Sequence, residues 1–296
     1  MTFKIRSFLN ADLPFLLELL KDPTSEERLL YTHYYNGNFL SWVQERKIEV
    51  LVADDNRGPV GSVAYNDGFW GEEIEWLVAC ETEDRNAIED GLVIEAEKHV
   101  KRGKVFTAVN SGSPRTKEWL QRGYFQNGGL IYMVTQLTEL RPFTKTPEGA
   151  LLRTLKPQEE KEFVQIVNAG FEWERVKEGD IQKWKTDSPP FNEEWIHVAE
   201  IDGRLVSAVV AKPDMGYNRF FNAKRGYLGP AATLHEYRGR NLATALTMRA
   251  MNFLFEQGMD SACLFTAETN DVSQKLLRKI GFEVGHSWKF MFKQVS

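Results

Sequence analysis

The stretch Tyr237-Arg238-Gly239-Arg240-Asn241-Leu242-Ala243-Thr244 determines how the rest of the chain is interpreted. It lies between a strand-like apolar segment and a helix predicted over Leu242–Glu256. Such a turn directs free backbone N–H groups and the positive end of the helix dipole to one point, which suits a pyrophosphate. Gly239 and Ala243 leave room for a phosphate near the backbone, Thr244 adds a hydroxyl and the two arginines add positive charge. A capped helix with a solvated basic turn explains the same residue types about as well.

The segments around this turn predict an α/β fold. Apolar residues of the helix over Leu242–Glu256 recur on one stripe, which is the spacing of a helix face packed on a sheet. Asp202-Gly203 is a strong hairpin signal. We predict strands at residues 150–155, 195–201, 205–211, 227–234, 261–267 and 288–293, and further helices at 159–169, 180–186 and 272–280. Residues 184–192 and 215–225 are predicted to be irregular loops.

The two halves of the chain resemble each other. Thr107-Ala108-Val109-Asn110, a helix-like stretch and Arg122-Gly123-Tyr124 correspond to Thr266-Ala267-Glu268-Thr269-Asn270, a helix-like stretch and Ile280-Gly281-Phe282. The repeat has the length of a whole domain, and 296 residues suffice for two cores. We predict a first domain over residues 1–139, a linker over 140–149 and a second domain over 150–296.

Composition limits the classes of function. A net charge of -5 argues against a general nucleic-acid or membrane-surface binder. The first residues show no leader pattern, and no apolar run approaches the length needed to span a bilayer. Cys80 and Cys263 lie in apolar stretches of different halves, which is typical of buried thiols. The histidines lack metal-ligand spacing, so we expect no metal, and a cytoplasmic location is expected.

The second half resembles the GCN5-related N-acetyltransferases, the GNAT family. The cofactor loop of that family follows Arg/Gln-x-x-Gly-x-Gly/Ala, and this chain has Arg238-Gly239-Arg240-Asn241-Leu242-Ala243, with Asn241 at the central glycine. Asparagine tolerates left-handed backbone better than most residues, so we expect the loop to keep its shape. Asn270, a predicted helix and Gly281-Phe282 follow at the spacing of the family. The resemblance implies an α/β mixed sheet in two tandem GNAT-like domains.

By this resemblance, acetyl-CoA is the co-substrate and residues 150–296 hold it. The pantetheine arm would lie between two splayed parallel strands and bond to Asn270 and to the backbone of Ala231, Ala232 and Thr233. The pyrophosphate would lie on the loop of Arg238, Gly239, Arg240, Asn241, Leu242, Ala243 and Thr244. On the following helix, Lys275, Arg278 and Lys279 could meet nucleotide phosphates or could form a solvated basic face.

The first half departs from the family at its corresponding loop. Residues 81–90 contain no glycine and five carboxylates. Acidic side chains favour a helix N-terminus, but they compete with a bound pyrophosphate and repel it. We predict that this domain is structural, props the second domain and forms one wall of the acceptor cleft.

The catalytic residues are the least regular part of the resemblance. Acetyl transfer to an amine needs a base, an oxyanion donor and an acid. The positions of the glutamate and tyrosine common in the family fall on Tyr227 and Leu277, and leucine cannot donate a proton. Tyr227 is the candidate catalytic residue if its pKa falls well below the usual value of about 10, or it is a core aromatic. His235 and Glu236 could act through water or be exposed turn residues, and catalysis by positioning alone is a further alternative.

The acceptor is predicted only by class. Aromatic and acidic side chains cluster in the loops that border the cleft in the family, and they would suit an amine-bearing small molecule or a peptide N-terminus. The aromatic residues, at least half of which core packing could explain, are Phe171, Trp173, Phe191, Tyr217, Phe220 and Phe221, and the acidic ones are Glu172, Glu174, Glu178 and Asp214. The sequence thus predicts an N-acetyltransferase acting on a primary amine through its C-terminal domain, or alternatively a non-catalytic acyl-CoA-binding or interaction module.

Overall fold

The computed structural model describes residues 2–21, 39–45, 47–68, 71–142 and 147–295. Contacts divide the chain into two compact units. Unit 1 comprises Met1–Leu130, Ala267–Thr269 and His286–Ser296, and unit 2 comprises Ile131–Thr266 and Asn270–Gly285. Unit 1 therefore includes the C-terminal segment His286–Ser296, and unit 2 begins at Ile131, before the predicted linker.

Unit 1 contains a mixed sheet with helices packed on it. Its strands are β1 (Lys4–Ser7), β2 (Glu49–Asp55), β3 (Gly58–Gly68), β4 (Gly71–Ala79), β5 (Lys104–Asn110) and, from His286 onwards, β12 (Glu283–Gln294), in that order across the sheet. All neighbours in this sheet are antiparallel except β4 and β5. Its described helices are α1 (Leu13–Lys21), α2 (Phe39–Glu45), α3 (Arg85–Glu97) and α4 (Arg115–Gln121).

Two apolar clusters form the core of unit 1. Ile88 and Leu92 of α3 are fully buried against strands β2, β3 and β4. Leu16 and Leu20 of α1 are fully buried in a second cluster with Trp76 of β4. Apolar helix positions three or four residues apart thus cover the sheet, as an amphipathic helix requires.

Unit 2 repeats the same strand plan. Across its sheet the order is β6 from Ile131 onwards (Phe125–Gln136), β11 (Ser261–Ala267), β10 (Arg225–Thr233), β9 (Arg204–Pro213), β8 (Ile196–Ile201) and β7 (Ala150–Thr154). Strands β10 and β11 are its parallel pair. Its described helices are α5 (Glu160–Phe171), α6 (Asp180–Asp187), α7 (Met215–Phe221), α8 (Leu242–Glu256) and α9 (Asp271–Lys279).

Helix α8 is the main helix of unit 2 and has the bounds that its sequence predicts. It packs on strands β8, β9 and β10, with Leu242, Leu246 and Leu254 buried. Asn252 near its end is also buried, and its amide bonds the backbone N–H and C=O of Arg141 at 2.9 and 3.0 Å. These bonds satisfy a buried polar side chain and hold the segment before β7 against α8.

The remaining predicted segments have mixed outcomes. Of the predicted linker, residues 143–146 lie outside the described residues, and the described residues 140–142 and 147–149 form no helix or strand. The prediction of an irregular loop over 215–225 is wrong, because Met215–Phe221 is helix α7. Asn222 ends this helix with a left-handed φ of 50°, and two turns are too short to show helical periodicity in the sequence. The predicted strand at 288–293 is the longer β12, whose residues from Trp288 to Gln294 pair with β5 in unit 1. None of the described helices is long and apolar enough to cross a membrane.

Candidate active site

Strands β10 and β11 separate to form a wedge in unit 2. Their parallel pairing covers Arg225 to Tyr227 on β10 and ends at the pair of Tyr227 with Cys263. Strand β10 continues beside β9 as far as Thr233, with an irregularity between Leu228 and Ala231. Because β10 stays with β9 and leaves β11, one edge of its last residues has no strand partner among the described residues of this unit. Backbone groups on such an edge can bond an extended ligand.

The register shows which residues turn toward the wedge. Leu234 donates its N–H to Val206 O at 3.0 Å, and Ala232 lies opposite Ala208. Alternate residues of an antiparallel strand turn their backbone groups to the same neighbour, so Ala232 turns toward β9. Ala231 and Thr233 turn toward the wedge. Of the three residues that the resemblance assigns to the pantetheine arm, two thus present their backbone to this opening.

The predicted phosphate loop leads from β10 into α8 as a tight left-handed turn. Gly239 has a φ of 77° and Asn241 a φ of 63°. A side chain at Gly239 would meet no atom within 4 Å, so the loop surface is open at this point. The first intrahelical bond of α8 runs from Ala245 N–H to Asn241 O at 3.1 Å. The amides of Leu242, Ala243 and Thr244 therefore have no carbonyl partner within the helix, which is the arrangement that binds phosphate.

The two arginines of the loop have different surroundings. Arg238 donates to Thr233 O at 3.3 Å and to Gly170 O at 3.1 Å, so its side chain folds back on the ends of β10 and α5. Arg240 is exposed, and its guanidinium lies 5.0 Å from the centre of the Tyr237 ring. Arg240 is therefore the arginine with donors available to an incoming phosphate, whereas Arg238 shapes the loop.

A cleft of about 490 Å³ lies next to this loop. It is lined by Asn241, Thr244 and Met248 of the loop and α8, by Lys279, Ile280 and Gly281 after α9, and by Thr138, Glu139, Arg141 and Pro142. Arg141 is fixed there by bonds to Thr135 Oγ1 at 2.8 Å, to Gln136 O at 3.0 Å and to Ile280 O. Burial lowers the pKa of Arg141. Lys279 is exposed and supplies an amine at the cleft.

Helix α9 carries the second predicted motif. Asn270 caps it, because its side-chain oxygen accepts from Ser273 N–H at 3.1 Å, and its amide NH2 remains a donor at an exposed position. Lys275 and Arg278 are exposed on the same helix. Leu277 is only 3% exposed and belongs to the core of unit 2. A packing role accounts for the leucine at the position where the resemblance would place a tyrosine.

Tyr227 lies at the apex of the wedge. Next to it, a side chain at Gly226 would meet Leu254 of α8, so Tyr227 points to the opposite face of the sheet. Its ring centre is 6.3 Å from that of Phe265, which is 37% exposed. Tyr227 is half-buried, and it thus stands on an accessible face beside the wedge. His235 and Glu236 are exposed in the short turn after β10, where Glu236 pairs with Arg204 at 3.5 Å.

The structure adds charged residues to this face that the sequence did not indicate. Lys212 of β9 lies directly opposite Tyr227, and paired residues of antiparallel strands point to the same face. Arg225 lies two residues before Tyr227 and bonds Asp214 at 2.6 and 3.0 Å and Tyr132 Oη at 2.7 Å. Arg225 is on the same strand as Tyr227, whereas only the pairing of β9 with β10 brings Lys212 to this face, and a single sequence does not display that pairing. Cys263 is buried nearby, and burial raises the pKa of its thiol to about 12.

The aromatic and acidic residues predicted at the acceptor cleft are divided by the structure. Phe191 is 3% exposed and packs in the core between Trp184 and Trp195. The other described aromatic residues form two small clusters, one of Phe171 with Trp173 and one of Tyr217 with Phe221. Asp214 is paired with Arg225, and Glu174 is paired with Lys177 at 3.1 Å. The side chain of Phe220 lies outside the described residues.

Unit 1 contains a similar wedge between β4 and β5, but side-chain hydrogen bonds from its own residues cross it. Parallel pairing of β4 with β5 covers only Glu72 and Glu73 on β4. Beyond it, Thr107 Oγ1 donates to Ile74 O at 3.0 Å, and the Arg115 guanidinium donates to Leu77 O at 3.2 Å. A cofactor arm would need to displace these donors.

The start of α3, which corresponds to the phosphate loop, is also internally paired. Glu89 is fully buried, and its carboxylate bonds Arg115 at 3.0 Å, Arg122 at 3.1 Å and Arg85 at 3.2 Å. A buried carboxylate needs such partners. Because these arginines bond Glu89, they are not available to bind a phosphate. Glu89 is one of the five carboxylates that the sequence predicts would repel a phosphate. In the structure it holds the start of α3 in place.

Comparison with known proteins shows which family of domains the second half of the chain resembles. Residues 152–285 match the family model described as an acetyltransferase (GNAT) domain. This range contains the wedge, the loop and α9. The part of the chain that contains the candidate site therefore resembles a GNAT acetyltransferase domain, which favours an acetyltransferase over the binding module considered as the alternative.

Individual relatives cover both halves of the chain. A mycothiol acetyltransferase from Saccharomonospora viridis is 25% identical over 231 residues, which is 73% of this chain and 72% of the relative. A GCN5-related N-acetyltransferase from Sphaerobacter thermophilus has a TM-score of 0.74 at 15% identity and covers 99% of this chain and 96% of its own. A tandem GNAT protein from the clavulanic acid biosynthesis pathway has a TM-score of 0.68 at 15% identity over 100% and 99%. The tandem GNAT fold thus extends over the whole chain.

Proposed function

We propose that unit 2 transfers the acetyl group of acetyl-CoA to a primary amine of a small molecule or peptide. The observation that carries this proposal is the continuity of the wedge and the phosphate loop. The same strand β10 separates from β11 after Tyr227, ends at Thr233 and leads within a few residues into the left-handed turn at Gly239 and Asn241. An extended thioester arm and its pyrophosphate require such neighbouring sites.

The residues of unit 2 fit this ligand by chemistry as well as by shape. The backbone of Ala231 and Thr233 and the amide of Asn270 would bond the arm, and the first amides of α8 with Arg240 would hold the pyrophosphate. The cleft beside Thr244 and Lys279 is suited to the nucleotide end. Acetyl-CoA supplies the activated acetyl group, and the protein aligns it.

Acetyl transfer requires a neutral acceptor amine, a polarised thioester carbonyl and a proton for the thiolate that leaves. Backbone N–H groups on the free edge of β10 can polarise a carbonyl. Tyr227 is the hydroxyl at the apex of the wedge, and we assign it the proton transfer. Leu277 cannot take part. If Tyr227 only packs, transfer depends on positioning of an amine that is already neutral in solution.

A small-molecule acceptor is supported by the mycothiol acetyltransferase similarity, because that relative is named for a small molecule. The two aromatic clusters and the partly exposed Phe265 offer apolar surface of the kind that lines small-molecule sites. Peptide N-termini present the same amine chemistry and belong in the same assay.

We further propose that unit 1 binds no acetyl-CoA. The bridged wedge of β4 and β5 and the buried Glu89 network support this proposal. Its role is then structural.

The proposed function is tested by release of CoA thiol from acetyl-CoA with a panel of small-molecule and peptide amines. We expect turnover with at least one amine class by the wild type and none by Gly239→Glu, which places a carboxylate where the pyrophosphate would bind. Gly258→Glu is the matched control, since Gly258 has a similar φ of 81°, equally open surroundings and lies at the far end of α8. Absence of turnover with every amine, or full activity of Gly239→Glu, would contradict the proposal.

A further inference from the structure

Lys212 is an unpaired cation on the face that Tyr227 shares. Within the described part of the chain, its amine has no hydrogen-bond or ion-pair partner, and its contacts are with rings. The Nζ atom lies 5.0 Å from the centre of the Trp184 ring and 5.8 Å from that of Tyr227. Lysine is partly buried there, and a desolvated cation without an anionic partner is costly.

The charges around Lys212 do not supply that partner. Arg225 and Asp214 neutralise each other through two hydrogen bonds. Asp214, Asp187 and Asp180 each raise the pKa of the Lys212 amine, but none of them forms an ion pair with it among the described residues. Burial is the largest effect and lowers the pKa of the Lys212 amine, with Arg175 adding to the decrease. The Lys212 amine thus contacts two aromatic rings and has no ion-pair partner among the described residues.

The position of this amine relates it to the acceptor. Lys212 faces Tyr227 across one strand pairing, and Tyr227 marks the apex of the wedge. A molecule whose amine approaches the apex from this face would bring its neighbouring groups to within reach of Lys212. Two aromatic rings hold the ammonium group in place without satisfying its donors.

We infer that Lys212 binds an anionic group of the acceptor, so that the substrate is a primary amine that also carries a carboxylate or a phosphate. This inference rests on the proposed function of unit 2 and specifies its substrate class. A bond from a buried ammonium to an incoming anion is charge-assisted and therefore strong. The face selects the acceptor by its charge, while Trp184 and Tyr227 limit its shape.

The test compares acceptors that differ only in charge. The full chain, saturated with acetyl-CoA, is assayed with α-amino acids against their carboxamides and with glucosamine 6-phosphate against glucosamine. We expect one anionic series to be preferred about 10-fold or more, and the series identifies carboxylate or phosphate. Lys212→Met, which keeps the aliphatic stem, should raise KM for that series by about 10- to 100-fold, the effect of one lost charged hydrogen bond. The kcat value and the neutral amines should change little.

The control is Lys224→Met, which removes the same charge from an exposed position before β10 and should leave all KM values unchanged. Calorimetric binding of the anionic probes to the CoA-loaded protein gives a second readout. Binding that Lys212→Met abolishes, without turnover by the wild type, would support the inference and count against the proposed function. The inference is overturned if neutral amines are used equally well, if Lys212→Met lowers kcat equally for both members of a pair, or if no anionic probe either binds or reacts.

Discussion

Asn241 is the residue on which the phosphate loop depends. Its φ of 63° lies in the left-handed region, where a non-glycine residue is strained, and Asn is among the few that accept it. The side chain makes no cap hydrogen bond to α8, so the backbone angle is its main contribution. The amides of Leu242 and the next two residues point to a common site because of this turn.

Two substitutions at Asn241 should have opposite effects on the phosphate loop. Asn241→Gly should keep the loop and bind acetyl-CoA at least as well as the wild type. Asn241→Val should lose about 1–2 kcal/mol of unfolding free energy and weaken acetyl-CoA binding, because a β-branched residue is poorly tolerated at positive φ. Thermal unfolding with and without acetyl-CoA measures both effects. Equal behaviour of the two variants would show that the left-handed turn is unimportant.

Tyr227 is the second residue on which the proposed function depends, because it is assigned the proton transfer. We expect Tyr227→Phe to retain acetyl-CoA affinity, since the ring still packs, and to lower turnover by about 100-fold, the usual size of a lost proton-transfer group. Turnover is measured across pH, with binding measured separately. Near-wild-type turnover that rises with pH until the acceptor amine is neutral would instead establish the positional mechanism.

At the residue scale, the sequence predicts some of this site and misses the rest for a physical reason. Gly239 and Asn241 lie at the start of α8 and Asn270 lies at the start of α9, and local patterns indicate such helix starts well. Lys212 joins the site only because β9 and β10 pair in one register. Register is set by non-local packing, which a single sequence does not display.

At the scale of elements, helix α8 and the sheet beneath it enclose His197 of β8. This side chain is 1% exposed, lies against Phe253 of α8, and neither of its ring nitrogens has a hydrogen-bond partner among the described residues. Burial, with a smaller effect of Arg249, lowers the pKa of His197 to about 3. The folded protein therefore holds this imidazole neutral at pH values where the unfolded chain protonates it.

The buried neutral His197 makes the free energy of unfolding depend on pH. Below the unfolded pKa of about 6.5, the unfolded state binds one more proton than the folded state, so stability falls with decreasing pH until about pH 3. The contribution is about 1.4 kcal/mol per pH unit. In His197→Phe, the slope of the unfolding free energy against pH should be smaller by about 1.4 kcal/mol per pH unit between about pH 3 and pH 6.5. An unchanged slope would mean that His197 is not the buried neutral group.

The elements were predicted unequally well. The bounds of α8 and β11 agree with their predictions, because a long amphipathic stripe and an apolar strand are strong local signals. Helix α7 was missed because its seven residues are too few to show a period. The separation of β10 from β11 was implied only by the family resemblance, since nothing in residues 225–233 alone distinguishes a paired strand from a splayed one.

At the scale of the whole molecule, two units share one strand plan but differ in their wedges. In unit 2 the edge of β10 is free beside an open left-handed turn, whereas in unit 1 Thr107 and Arg115 bridge β4 and Glu89 anchors the start of α3. The repeat in the sequence predicted the shared plan. It did not predict that residues from Trp288 pair with β5, because the chain order places them in the second half.

The most direct test of the account is a calorimetric titration of the full chain with acetyl-CoA. We predict a stoichiometry of one per chain, an acetyl-CoA-dependent increase in Tm by mass action, and loss of both in Gly239→Glu but not in Gly258→Glu. Two equivalent sites per chain, or binding that persists in Gly239→Glu, would contradict the assignment of the acetyl-CoA site to unit 2 alone.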